Sequence, residues 1–205
     1  MPTDYSDARK HPKSPPIGPS LPLTGPYELG LKRVFDVVCV LLSLPFVAPL
    51  IGIFALIVSL DGSGAFYRQD RVGRNGRIYR IWKLRTMVPN AEAMLQEYLS
   101  ENPNAAAEWE LTQKLKQDPR ITKIGSMLRK NSIDELPQLW NVLIGDMSLV
   151  GPRPMMPEQE ALYPGLSYYL QRPGITGSWQ VSERNECTFA DRARFDTAYI
   201  ANMSF

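Results

Sequence analysis

From Val37 to Leu60 the chain carries no charged side chain and is apolar almost throughout. As a straight helix rising about 1.5 Å per residue it would reach roughly 36 Å, against a bilayer core of about 30 Å. Two features oppose a simple span. Pro45 and Pro49 lie one turn apart in its middle, and each removes a helix hydrogen bond and bends the chain. Both flanks are also basic, with Lys32-Arg33 before the run and Arg68 onward after it. By the positive-inside rule both ends then prefer the cytoplasm. A re-entrant membrane segment, helix-break-helix over residues 31–61, satisfies both facts. A kinked span and a buried core helix are the alternatives.

Around this segment the chain divides in two. Residues 1–30 are rich in Pro, Ser and Gly and read as a disordered cytosolic arm, with no signal-peptide pattern. Residues 62–205 are long enough for one domain with its own core. The net charge of +2 is too small to point to nucleic acid. Its distribution says more: Arg68, Arg71, Arg74, Arg77, Arg80, Lys83 and Arg85 crowd a stretch whose one acid is Asp70. Such a block favours phosphates, nucleotides or lipid headgroups. Cys39 and Cys187 make no disulfide framework, so a reduced, cytosol-facing protein is expected. The only histidine, His11, lies in the arm. Acid–base and nucleophilic work therefore falls to carboxylates, with Lys and Arg in support.

Asp134-Glu135 is the strongest candidate for that work. Adjacent acids repel, and are tolerated best where cations or a metal neutralise them. A helix start adds positive potential. Ser132-x-x-Glu135 also fits a capping box, but Pro137 would then fall inside the helix. Proline is comfortable only in the first turn, so the helix is expected to open near Pro137 with both acids in the turn before it. The fold expected overall is α+β and mostly helical. Short strands at 65–67 and 78–82 flank a Gly73–Gly76 turn. Amphipathic surface helices follow at Ala91–Leu99 and Ala105–Lys116, the second with Asn104 as N-cap. Ile121, Ile124, Met127 and Leu128 form an apolar stripe. Beyond Ile144 come Gly/Pro-rich loops, of a kind that lets backbone approach a ligand.

Three basic motifs carry either chemistry or plain structure. Gly151-Pro152-Arg153-Pro154 fixes an arginine between prolines, which lowers the entropy lost when its guanidinium grips a phosphate; a stiff turn with a solvated arginine is the other reading. Arg172-Pro173-Gly174-Ile175-Thr176-Gly177 has the same two readings. Lys83-Leu84-Arg85 puts two cations on one side of a strand by its two-residue period, for substrate or for headgroups. There is no Asp-x-Asp pair, P-loop, Gly-x-Gly-x-x-Gly or His-Glu-x-x-His.

In series, Lys32-Arg33-Val34-Phe35-Asp36, the proline-broken apolar run, Arg68-Gln69-Asp70-Arg71-Val72-Gly73, Lys83-Leu84-Arg85-Thr86-Met87, Asp118-Pro119-Arg120-Ile121-Thr122, Ser132 to Gln138, Met147 to Pro154 and Arg172 to Gly177 resemble the bacterial sugar transferases, the monotopic phosphoglycosyl transferases. The resemblance covers about Lys32 to Phe205. The insert from Asn90 to Gln117 looks closest to galactose-1-phosphate transferases that initiate exopolysaccharide synthesis.

The resemblance implies transfer of hexose-1-phosphate from a UDP-hexose to undecaprenyl phosphate at the cytoplasmic face of the bacterial inner membrane, with release of UMP and a requirement for Mg²⁺. It implies Asp134 as the nucleophile that forms a covalent phosphosugar intermediate, Glu135 as its partner at the metal or in proton handling, and Lys83, Arg129 and Arg153 as phosphate-binding cations. Arg85 and Arg172 join them as candidates. Inner-membrane lipid, a second copy of the chain and downstream glycosyltransferases are the other expected partners. Two departures stand out. Ala48-Pro49 replaces the frequent Ser-Pro at the bend, and relatives continue past the position of Phe205, so a short C-terminus is expected. Glucose as the sugar, a hydrolase using the same acids, and a catalytically inactive membrane adaptor are the alternatives.

Overall fold

The computed structural model describes residues 30–112, 115–181 and 192–202. The expectations for the arm, for His11 and Cys187, and for residues 113–114 lie outside them. The architecture is mostly helical with a few short strands. A long helix α1 (Lys32–Ser59) leads into a hairpin of β1 (Phe66–Val72) and β2 (Ile78–Leu84). Helices α2 (Ala91–Glu101), α3 (Pro103–Thr112) and α4 (Lys123–Lys130) follow, then a 3-10 turn at Ile133–Glu135 and α5 (Gln138–Ile144). Strand β3 (Ser148–Val150) pairs in parallel with β4 (Gly174–Thr176), Ser148 facing Gly174 and Val150 facing Thr176. Helices α6 (Ser167–Leu170), α7 (Ser178–Val181) and α8 (Arg192–Ala201) complete the order.

Helix α1 is one element with both prolines inside it, so the expected division into two helices is not observed. It is long and apolar enough to cross a membrane by length and composition, yet only 6% of its most apolar window is buried. Phe46 is 80% exposed and Leu42 71%. That exposure removes the core-helix alternative, because a core helix of this composition would be covered by protein. α3 also departs from expectation. It opens at Pro103, so Asn104 lies inside it rather than capping it; proline's fixed φ suits a first helical residue.

By its contacts the chain forms two compact units, and the division runs through α1. One unit takes the described residues up to Ser43, Gln69–Ile81 and everything from Gln138 onward; the other takes Leu44–Arg68 and Trp82–Pro137. The first is centred on Val72, Met155, Tyr163, Tyr168 and Tyr169, the three tyrosines meeting edge to face at 5.6–6.3 Å. Its part of α1 is fixed by a buried carboxylate. Asp36 accepts from the Ser148 hydroxyl at 2.7 Å and from the Leu149 amide at 3.1 Å. The second unit packs Ile51, Phe54, Ala55 and Val58 of α1 against Leu84, Ile124, Leu128 and Ile133.

Candidate active site

In the second unit the carboxylate pair is positioned from both chain directions. Thr122 caps α4, its side chain accepting from the Gly125 amide at 2.9 Å. Gly125 must be glycine here, since a Cβ would meet the Thr86 carbonyl oxygen at 2.0 Å. α4 and the following turn then bury Leu128 and Ile133 on Leu84. Ser132 adopts φ 55° and makes no cap, so the capping-box alternative fails. Asp134 and Glu135 sit in the 3-10 turn, directly ahead of Pro137 and α5, as the proline argument requires.

Asp134 is 7% exposed. Burial holds its carboxyl above the ordinary range, the Lys83 charge opposes this, Glu135 reinforces it and Arg129 opposes it. Lys83 Nζ lies 2.6 Å from Glu135 Oε1. Arg129 donates from Nε to the Thr86 hydroxyl at 2.8 Å. The structure thus gathers Lys83, Arg129, Asp134 and Glu135 in one unit.

Arg85 does not join them. β2 ends at Leu84, so the two-residue period no longer pairs Arg85 with Lys83. Its guanidinium closes the end of α1, donating to the Val58 carbonyl at 2.8 Å, to Asp61 at 2.6 and 2.8 Å, and to the Gly64 carbonyl at 2.7 Å. Cations at helix C-termini satisfy free carbonyls and complement the helix dipole. The Arg85 bonds in turn hold Asp61 below the ordinary carboxylate range. Sequence reasoning missed Asp61 and gave no role to Asp36, which it met only as the end of the Lys32–Asp36 motif. Both are lone acids bordering an uncharged run, which is the signal that marks them.

Arg153 and Arg172 belong to the other unit. Arg153 is exposed, its guanidinium carbon 5.6 Å from the centre of the Trp179 ring. Arg172 donates from Nε to the Gly145 carbonyl at 2.8 Å, just past the end of α5, whose Val142 and Leu143 carbonyls accept from Arg33. Burial, then Arg74 and Arg33, lower its proton affinity. The two glycine-rich motifs pack on each other: the Gly151 amide donates to Thr176 at 2.9 Å and the Gly174 amide to Pro152 at 2.8 Å. A Cβ on Gly177 would meet the Gly151 oxygen at 2.0 Å. The glycines serve backbone–backbone approach, where the sequence suggested approach to a ligand.

Asp134 and Glu135 fit Mg²⁺ as a partial donor set. Among the described residues no three His, Cys, Asp or Glu side chains cluster as a metal cage, and no neighbouring side chain donates to Asp134. Hard carboxylate oxygens in such numbers suit an ion that draws its remaining ligands from water and substrate phosphate.

The chain thus combines a carboxylate pair and two cations in one unit with a long exposed apolar helix that suits association with a membrane. The family follows from comparison. A model of the bacterial sugar transferases matches residues 27–205, and the chain belongs to that family. It is similar to the exopolysaccharide production protein ExoY of Sinorhizobium fredii, 46% identical over 179 residues, which are 84% of this chain and 78% of that protein. The UDP-galactose-lipid carrier transferase of Erwinia amylovora and the undecaprenyl-phosphate galactose phosphotransferase of Salmonella typhimurium are each 48% identical over 176 residues. Those matches cover 85% of this chain but 37% of either relative, so the chain spans little more than a third of their length.

Proposed function

We propose that this protein transfers hexose-1-phosphate, galactose-1-phosphate first among the candidates, from a UDP-hexose to undecaprenyl phosphate as the first membrane step of exopolysaccharide synthesis. The observation that carries the reading is the buried Asp134, unmatched by any side-chain donor among the described residues, next to the Lys83–Glu135 pair. The Asp134 carboxylate attacks the sugar-bearing phosphorus. The bond from that phosphorus to the bridging oxygen breaks, and UMP leaves. An oxygen of undecaprenyl phosphate then attacks the aspartyl phosphate, freeing the carboxylate and giving the lipid-linked diphosphate sugar. Splitting one transfer in two is what a protein nucleophile contributes. Lys83 and Arg129 offset charge on the transferring group, and Lys83 pairs with Glu135 at 2.6 Å beside it. Bound Mg²⁺, held by Asp134 and Glu135 with substrate oxygens, would supply further charge neutralisation.

The basic flanks of α1, Lys32-Arg33 before the apolar run and Arg68 onward after it, support a re-entrant topology with both ends at the cytoplasmic face. Asp36 anchors one end and Arg85 the other, each to folded polar structure. Single cysteines placed in the arm and near α4, after replacement of Cys39 and Cys187, should both resist a membrane-impermeant thiol reagent in intact cells; labelling of the arm from outside would sink this topology. For the reaction, the purified chain should release UMP from UDP-galactose only when polyprenyl phosphate is added. Release without the lipid would identify a hydrolase, and no release from any UDP-sugar would end the enzymatic reading.

A further inference from the structure

The segment that closes β2 controls more than Lys83. Three residues on, Thr86 is 6% exposed and is engaged through both its carbonyl and its hydroxyl. Its carbonyl oxygen accepts from the Thr122 amide at 3.1 Å. The same oxygen faces Gly125 so closely that no side chain fits there. Its hydroxyl accepts from Arg129 Nε at 2.8 Å. Arg129 itself is exposed at the last turn of α4, where a long side chain would otherwise sample many rotamers.

We infer that Thr86 is a positioning residue for the transfer reaction, its buried hydroxyl holding the Arg129 guanidinium by Nε so that the two terminal nitrogens face the substrate diphosphate. This rests on the functional reading above. A guanidinium has five N–H donors in a rigid plane. Engaging the Nε donor fixes the orientation of that plane and leaves the outer fork for two parallel bonds to phosphate. Because β2 delivers Lys83 to Glu135 at 2.6 Å and the residues just after it deliver Thr86 to Arg129, one stretch of backbone sets the spacing of both cations about the carboxylate pair. A shift of about 1 Å in a positioned group is enough to cost catalysis heavily. Thr86 touches no reacting atom; it acts through Arg129.

The test uses the full chain in detergent or nanodiscs, with UDP-galactose as the probe, read both by equilibrium binding and by UMP release. Thr86→Val keeps the branched shape and removes the hydroxyl; Thr86→Ser keeps the hydroxyl. The valine variant should raise both Kd and KM for UDP-galactose about tenfold or more, with an unchanged thermal midpoint, and the serine variant should recover most of the loss. In an Arg129→Ala background, Thr86→Val should cost nothing further, since the two residues act as one unit. A valine variant that binds as wild type overturns the assignment. So does one whose loss adds in full to that of Arg129→Ala, which would mark Thr86 as structural packing for α4. A wild-type chain that binds no UDP-galactose and releases no UMP removes the functional reading and this inference with it. Normal wild-type turnover with an indifferent valine variant removes only the role of Thr86.

Discussion

Asp134 and Asp196 are both buried aspartates, 7% and 6% exposed, and desolvation raises the proton affinity of each. Their surroundings differ in a way that separates a site from a scaffold. Asp196 accepts from the Tyr163 hydroxyl at 2.8 Å, and Tyr163 is itself locked among Tyr168 and Tyr169. The cation that faces it, Arg192, is stacked 4.3 Å from the Trp179 ring. Asp134 has no such side-chain donor among the described residues, and the cations near it belong to an exposed Arg129 and a half-buried Lys83. A buried carboxylate with a matched hydrogen bond is a structural part. One left unmatched among accessible cations can take a substrate.

The sharpest way to break this comparison is Asp134→Asn. If Asp134 is the nucleophile proposed above, UMP release should fall by several orders of magnitude. The thermal midpoint should hold or rise, since a desolvated charge is removed. Near-normal turnover in the purified variant would take Asp134 out of the mechanism.

Asp196 should reveal itself through stability rather than rate. Burial first, with the Tyr163 bond and the Arg192 charge opposing it, holds its carboxyl up at about 6, against 3.8 ordinarily. Between those values the folded protein keeps a proton that the unfolded chain releases. The contribution to stability is therefore full below about pH 4 and falls as pH rises through about 6, by at most roughly 3 kcal/mol. Denaturation at pH 4 and pH 7, compared between wild type and Asp196→Asn, isolates the slope. Asparagine still accepts from Tyr163, so the variant should lose less stability on going to pH 7. Parallel slopes would mean that Asp196 stays ionised.

The contrast also marks what could be read from the chain. The acids' place in a turn before α5 followed from proline stereochemistry alone, because Pro137 forbids the competing helix wherever the rest of the fold goes. The turn and second strand of the hairpin and the apolar face of α4 followed from period and turn residues, whereas the first strand, expected at 65–67, runs over Phe66–Val72. The partners of the arginines did not. Arg85, Arg129 and Arg172 look alike as isolated cations in basic motifs, yet one closes α1, one rests on Thr86 and one receives the end of α5. A guanidinium's partner is set by tertiary approach of distant carbonyls, and local pattern carries no record of it. The two glycine-rich motifs misled for the same reason, since backbone approach to backbone and to ligand require the same glycines.

Arg172→Met sharpens the scaffold side of the comparison. A hydrogen bond from a charged group, such as the one Arg172 makes to the Gly145 carbonyl, contributes about 1.5–3 kcal/mol. Relief of repulsion from Arg74 and Arg33, both of which disfavour its charge, should offset part of that. A net loss of about 1–2 kcal/mol in chemical denaturation is expected, with KM for the UDP-sugar unmoved. A large rise in KM at unchanged stability would instead make Arg172 a phosphate ligand.

The smallest effect is expected at Arg153, the cation between two prolines. Its side chain is exposed and lies over Trp179 at 5.6 Å, a cation–π contact at the long end of the useful range. Prolines on both sides hold its backbone, so little entropy is lost when the guanidinium meets an anion. Arg153→Lys keeps the charge and the main-chain geometry but removes the planar, two-pronged donor set. If Arg153 grips substrate phosphate, activity should fall about tenfold while the thermal midpoint stays within error. The long-range field of a unit positive charge is nearly the same in both side chains, so a role as general positive potential predicts no loss with lysine and a strong response of KM to ionic strength in both proteins. Measuring KM for UDP-galactose at two salt concentrations in wild type and variant separates the two. Full activity in the lysine protein would assign Arg153 to potential and turn geometry, leaving the recognition of phosphate to Lys83 and Arg129.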